Sequence, residues 1–485
     1  MVVTNRDLVS NKLKTIAMAS IAPISTAPIS GVNVAKRKFF QCNDPYVKYH
    51  PSNKTKDTST VCKSPSASTI IYGSAFSPPY RSKRYFVACT SNGCIAVWDT
   101  QPSSSAPSQD VNLDKSGPLK PILIVDVGGE SRSNNNALYD LQFIQTSNGD
   151  HLLIASGDPG TVVYKWSNFE AAIAAAVDGG EACLAPKCQD PSSVEASFDL
   201  HPVTTFRPHP SPANSFGESV EINSTSYSKS DGILFGAAGD MYGCYQWDLA
   251  TEKLLGTFGG ASRFDNGGHR DYLHVVKAIP ENEGMGSRYV ITGGEDGNMG
   301  FWDGKDRKLI EMMNVQTTMD KNKDLVTSNA TSNNRSFMSS SSTPNNGSNS
   351  WVSSIGTNGN WLAVCGGAET TNNSITSRSG PSSSGFMTLW HLPTRTFTSG
   401  CVTRESLNSV VYNHSLDCFV SGGNEGRISF WESTNAVRSG RSWSTPPATY
   451  TISNNNDDVM VVGGSGSTLD CFVDRVKVSQ LQFIS

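Results

Sequence analysis

From about residue 70 to the end, the chain alternates short apolar, β-branched runs with turns rich in Gly, Asn and Asp. Runs of four to eight such residues read as strands buried on both faces. The predicted order begins with Tyr72 to Phe76, Tyr85 to Thr90, Cys94 to Asp99 and Pro121 to Val127, with a tight turn at Asn92-Gly93. Next come Ala137 to Ile144, Leu152 to Ser156 and a turn at Asp158-Pro159-Gly160 leading to Trp166, then an Ala-rich stretch, Phe169 to Val177, that suits a short helix. Ser219 to Ser224, Ile233 to Ala237, Cys244 to Asp248 and Lys253 to Phe258 follow. Val290 to Gly293 turns at Asp296-Gly297 into Met299, Phe301 and Trp302; Gly supplies the positive φ that such hairpins demand. Trp351 to Cys365, Thr388 to Leu392, Ser409 to Tyr412, Cys418 to Ser421, Arg427 to Trp431, Val459 to Val462, Leu469 to Val473 and Val478 to Ile484 complete the set. Residues 1–68 show no strand periodicity and are expected to be a disordered tail. Polar insertions about 100–117, 178–217, 314–350 and 369–385 hold too few apolar residues to offset the entropy of ordering them.

The aromatic residue that closes each group of strands sets the period. Trp390 to Trp431 is 41 residues, and Trp431 to Phe472 is 41 again. The earlier positions, Trp98, Trp166, Trp247 and Trp302, are spaced 68, 81, 55 and 88 residues apart up to Trp390, an excess broadly matching the polar insertions. Four strands in a period near 40–45 residues is the blade of a β-propeller. The count is seven, so residues 69–485 are expected to form an all-β, seven-bladed ring, whose closure leaves little free strand edge.

Composition refines this. Gly is abundant (43 residues) and charge low (17%), as short strands and polar loops require. The net charge of −4 is uneven: residues 1–60 hold nine Lys or Arg against three Asp or Glu, which leaves −10 on the rest. A basic arm on an acidic body does not suit a mainly electrostatic nucleic-acid binder. Six of the eleven cysteines (Cys89, Cys94, Cys244, Cys365, Cys418 and Cys471) fall in predicted strands, where a thiol acts as a small hydrophobe, so reduced cysteines and an intracellular protein are expected. Cys183 and Cys188 lack the second pair that a zinc site needs. No apolar run reaches eighteen residues, and no membrane span is expected. Residues 15–30 read as flexible tail or weak targeting peptide.

Gly268-His269 in front and Trp302-Asp303 behind resemble the ends of a WD repeat. The resemblance implies that His269, Thr292, Asp296 and Trp302 form a buried relay of hydrogen bonds. Three blocks are similar to one WD-repeat family in particular, that of subunit 6 of the THO complex, part of the TREX machinery coupling transcription to mRNA export. They are Gly268-His269-Arg270-Asp271-Tyr272-Leu273-His274 with Thr292-Gly293-Gly294-Glu295-Asp296-Gly297; Trp361 to Gly367 leading to Leu389-Trp390-His391-Leu392; and Ser467-Thr468-Leu469-Asp470-Cys471-Phe472, with Phe483 near the end. Their order fits over roughly residues 70–485. The long Ser/Asn insertions and the basic tail depart from the pattern.

Candidate chemistry is sparse. The sequence holds no His-Glu-x-x-His doublet, no phosphate loop and no nucleophile elbow, and Gly463 to Gly466 reads as a hairpin turn. Asp271 and His274 read as structural residues at the start of an inner strand, and His391 as a turn hydrogen-bonder. Lys36-Arg37-Lys38, beside Phe39 and Phe40, could contact RNA or serve as an import signal. The expectation is a protein without enzymatic activity, cofactor, metal or small-molecule substrate. The resemblance implies a nuclear scaffold whose partners are other THO/TREX subunits, with RNA contact indirect or weak. The alternative is a substrate receptor of a cullin-RING ubiquitin ligase. That class carries Trp-Asp-x-Arg, and the nearest match is Trp302-Asp303-Gly304-Lys305, where Lys lacks the planar fork of Arg.

Overall fold

The computed structural model describes residues 47–49, 69–79, 84–100, 118–127, 137–178, 200–208, 220–239, 241–259, 267–280, 288–328, 350–369, 383–455 and 458–483. These residues build a seven-bladed β-propeller. Each blade is an antiparallel sheet whose strands follow chain order, labelled here a to d from the innermost outward.

Blade 1 comprises Ile71–Phe76, Tyr85–Thr90, Cys94–Asp99 and Leu123–Asp126. Blade 2 comprises Leu138–Gln145, His151–Gly157, Gly160–Lys165 and Thr204–Phe206. Blade 3 comprises Ile222–Ser228, Ile233–Ala238, Gly243–Asp248 and Lys253–Phe258. Blade 4 comprises Leu273–Ala278, Tyr289–Gly294, Asn298–Asp303 and Lys308–Asn314. Blade 5 comprises Ser350–Asn358, Trp361–Glu369, Ser383–His391 and Thr396–Thr403. Blade 6 comprises Leu407–Asn413, Cys418–Gly423, Arg427–Glu432 and Arg438–Trp443. Blade 7 comprises Thr449–Asn454, Val459–Gly464, Thr468–Val473 and Val476–Gln482.

The core lies between blades. Seven clusters of buried apolar side chains each fill one interface, and each contains one of the seven repeat aromatics. Trp166 packs between blades 1 and 2, Trp247 between 2 and 3, Trp302 between 3 and 4, and Trp390 between 4 and 5. Trp431 and Phe472 serve the next two interfaces, and Trp98 joins blade 7 to blade 1, edge-on to Phe483 at 5.1 Å. A flat ring buried on a sheet face contributes a large apolar area at a small loss of rotamer freedom, which suits an interface only two side chains thick.

All seven a–b pairs carry a bulge near the start of strand a. This explains the Gly that recurs at the end of strand b. A Cβ on Gly464 would lie 1.7 Å from the Ala448 carbonyl oxygen, so the bulged backbone leaves no room for a side chain.

The ring closes without sharing a blade between its two ends. Strand a of blade 1 lies beside strand a of blade 7, where Ser74 Oγ meets Thr451 Oγ1 at 2.8 Å. Ile70 bridges to Ser465, and Leu119 inserts beside the outer strand of blade 7, donating its N–H to Gln480 O and accepting from Gln482 N. The Trp98 indole donates to Leu119 O at 3.3 Å and pins the same segment.

Several stretches expected to be loop carry structure. Thr204–Phe206 pairs with Gly160–Lys165 as the outer strand of blade 2, inside the expected insertion 178–217. Val315–Lys321 is a helix (α2), capped by the Asn314 side chain, which accepts from Thr317 N. Val315 and Met319, one turn apart on α2, are buried in the cluster between blades 4 and 5. Val326–Ser328 then pairs parallel to strand d of blade 5 as a fifth strand. Residues 314–328, expected to belong to a disordered loop, are therefore part of the structured ring. Strands b and c of blade 5 run on through Glu369 and Ser383, into the expected insertion 369–385. In blade 1, Val47–Tyr49 runs parallel to strand d, within the stretch expected to form the tail. The Ala-rich helix (α1) spans Trp166–Asp178.

Candidate functional site

Blade 4 gathers the relay residues. His269 lies in the loop entering the blade and donates its backbone N–H to Gly259 O at the end of blade 3. Its Nδ1 is 3.1 Å from Asp296 Oδ1, and its Nε2 is 2.7 Å from Thr292 Oγ1. Trp302 Nε1 donates to the same Thr292 oxygen at 2.7 Å. One proton arrangement satisfies every atom: Nδ1–H donates to the carboxylate, and the threonine O–H donates to Nε2 while its oxygen accepts from the indole. Asp296 also accepts from Arg270 N and Asn298 N, and so ties the entry loop to the b–c turn. Burial pushes the Asp296 carboxyl up, but the hydrogen bond from His269 and the two N–H donors outweigh it, leaving the group below its ordinary value. Gly297 holds φ at +68°, which a tight turn requires, and a Cβ there would meet Ser350 Oγ at 2.4 Å.

Other blades carry fragments of this relay. Trp431 Nε1 donates to Ser421 Oγ at 2.8 Å, and Trp390 Nε1 to Thr388 Oγ1 at 3.0 Å. The buried Trp166 Nε1 has no partner among the described residues. In blade 7 the aromatic is Phe472, which needs none. Asp470, fully buried two residues before it, instead accepts from Thr445 N and pairs with Lys477 Nζ at 2.7 Å.

Of the three residues expected as a ligase-adaptor contact, Trp302 and Asp303 are engaged internally. Trp302 is buried, and Asp303 accepts from Lys305 N and Asp306 N and pairs with Arg288. Burial raises the Asp303 carboxyl, but these hydrogen bonds and the guanidinium charge hold it below its ordinary value. Lys305 is exposed. Asp271 accepts from Tyr272 N, whereas His274, in strand a, faces Glu295 at 3.7 Å. Burial lowers the His274 imidazole to about 4, against the pull of Asp271 and Asp296. His391 bonds Thr394 in the turn after strand c of blade 5, at 2.8 Å. Lys36, Arg37 and Lys38, and Cys183 with Cys188, lie outside the described residues. Among the described residues no three His, Cys, Asp or Glu side chains gather as a metal site, and no helix is long and apolar enough to cross a membrane.

A cleft that the sequence reading missed opens between blades 5 and 6, lined by Thr403, Arg404, Glu405, Arg427, Arg438 and Arg441. Strand pairing assembles it. Arg427 lies opposite Trp443 and Ser429 opposite Arg441, so both arginines share the face of blade 6 that looks toward blade 5. The Arg427 guanidinium lies 4.8 Å over the Trp443 ring, and that of Arg438 lies 4.9 Å over Trp431. Glu405, buried, accepts from Glu425 N at 2.6 Å. The signal was available in the register of the Arg427 and Arg438 strands across their turn, which places arginines separated by up to 14 residues side by side.

Seven blades around a ring, two of them carrying a fifth strand, with a His–Thr–Asp–Trp relay in one, form a β-propeller consistent with a WD-repeat protein. The chain is similar to THO complex subunit 6 of Arabidopsis thaliana, at 26% identity over 251 residues. That match covers 51% of this chain and spans 59% of the relative's length. No family model matches the chain.

Proposed function

We propose that this protein is a non-catalytic scaffold subunit of a THO/TREX-like nuclear assembly that couples transcription to mRNA processing and export. The observation that carries the reading is the similarity to THO complex subunit 6, found in a chain whose architecture is a β-propeller. Two of its polar constellations support this, because each serves a structural task. The blade 4 relay locks a hairpin to an entry loop, and Asp303 holds a turn. A ring of this kind acts through its two faces and its rim, and its partners are other THO/TREX subunits. With −10 on residues 61–485, RNA contact falls to the basic tail and is weak and salt-sensitive.

Affinity purification of the tagged chain from nuclear extract, followed by mass spectrometry, tests the reading. Recovery of THO subunits is the expected result. Recovery of a cullin-RING adaptor in their place overturns it in favour of the substrate-receptor alternative.

A further inference from the structure

We propose that the arginine cleft between blades 5 and 6 docks an extended acidic peptide of a partner protein. Four arginines, Arg404, Arg427, Arg438 and Arg441, line one small cleft with a single lining carboxylate, Glu405. Arg427 also reaches Glu425 at 3.0 Å, which leaves cationic charge in excess on an otherwise acidic body. The Nε atoms of Arg427 and Arg438 are buried and have no hydrogen-bond partner among the described residues. Buried donors without acceptors are costly, and guanidinium groups form their strongest hydrogen bonds with carboxylates. An acidic side chain suits this excess of guanidinium groups, reaching the accessible ends of Arg427 and Arg441 rather than the buried Nε atoms.

The strand bordering the cleft fits such a ligand. Strand d of blade 6 is an outer edge, and Ser444 N–H points inward to Gly426 O, so alternation turns the main-chain groups of Arg441 and Trp443 outward. Strand d of blades 1 and 5 each carries a fifth strand in parallel, whereas strand d of blade 6 carries none among the described residues. The molecule itself thus shows twice how a short extended segment completes such an edge. Trp443, 68% exposed at the end of this strand, offers an apolar surface to the same segment. A peptide is favoured over a nucleic acid because the basic area is confined to one cleft, and the surrounding negative charge repels a long polyanion.

This deepens the scaffold reading but rests on the cleft alone. A failed titration removes the cleft assignment, whereas failure to recover THO subunits removes the scaffold reading. The experiment is fluorescence anisotropy on the full chain at about 0.1 M salt, with a labelled (Glu-Thr)5 peptide, a (Lys-Thr)5 control and a ten-nucleotide oligouridylate. Wild type should bind the glutamate peptide and not the lysine one, and Arg438→Gln/Arg441→Gln should weaken that binding about tenfold or more. The basic tail is present in both proteins, so the difference between them reads the cleft. If the double variant fails to fold, Arg441→Glu decides, since that side chain is exposed. Unchanged affinity in the variant that folds overturns the proposal. Tighter binding of oligouridylate, lost in the same variants, also overturns it, by making the cleft a nucleic-acid site.

Discussion

The relay in blade 4 gives the sharpest stability prediction. Thr292→Val keeps shape and removes one hydroxyl, on which two buried groups depend. Trp302 Nε1 loses its acceptor and His269 Nε2 its donor; both side chains are at most 2% exposed, so water does not replace the lost partner. A buried group left unsatisfied costs about 1–3 kcal/mol, so two of them set an expected loss of about 2–6 kcal/mol. Asp296→Ala removes three hydrogen bonds, but two of those donors, Arg270 N in the entry loop and Asn298 N at the b–c turn, sit in partly exposed segments. Only the His269 donor is stranded there, and the expected loss is smaller, about 1–3 kcal/mol. Urea unfolding followed by tryptophan fluorescence and far-ultraviolet circular dichroism reads both values. A Thr292→Val midpoint within error of wild type, or a loss well below that of Asp296→Ala, would refute the assignment of Thr292 as the centre of the relay. The pH dependence supplies an independent check. The folded Asp296 carboxyl lies below its unfolded value, so its contribution is complete above about pH 4 and is lost as pH falls through the folded value. The gap between wild type and Asp296→Asn should therefore close on acidification.

Three further outcomes follow from the packing. Met319→Ala, in α2, should cost about 2–4 kcal/mol in urea unfolding, because its side chain fills the cluster between blades 4 and 5. Replacing 329–349 with a Gly/Ser linker should shift the melting temperature little, provided the linker crosses the four strand spacings of blade 5, about 19 Å, for which about eight residues suffice. Glu405, facing Arg404, Arg427, Arg438, Arg441 and Glu425, is raised to about 7, chiefly by burial, against the Glu425 N–H bond and the pull of Arg427 and Arg441. Its folded state holds the proton more tightly than the unfolded chain, so stability falls as pH rises from about 4.5 to 7. Glu405→Gln should melt higher than wild type at pH 8 and match it near pH 5; an advantage independent of pH refutes the burial argument.

The blades were legible in the sequence because each depends on local signals. Asn92-Gly93, Asp296-Gly297 and Gly426 mark tight turns, and all three glycines take positive φ. The repeat aromatics mark the interfaces, one to each. The rest was hidden for physical reasons. Val315 and Met319 anchor a helix within a polar window, where two apolar residues one turn apart suffice for burial but not for a periodic pattern. Thr204–Phe206 and Val326–Ser328 are held by main-chain pairing over three residues, too short to alternate visibly. The arginine cleft depends on register and on a neighbouring blade, which composition does not encode.

The seam between blades 7 and 1 sets a schedule for synthesis. Ile71, Phe86, Trp98 and Ile124 of blade 1 are made early, but the face they form is covered by residues made late, among them Val459, Leu469, Leu481 and Phe483. Some 350 residues separate the end of blade 1 from that cover, and at roughly 5–20 residues per second the delay is about 20 to 70 s. For that interval an apolar sheet face stands open on the ribosome, and each intermediate blade presents the same kind of surface to the next. A nascent chain of this design depends on chaperones in proportion to the time before its last strand emerges, and truncation at the C-terminus should harm solubility far more than the small number of residues removed would suggest.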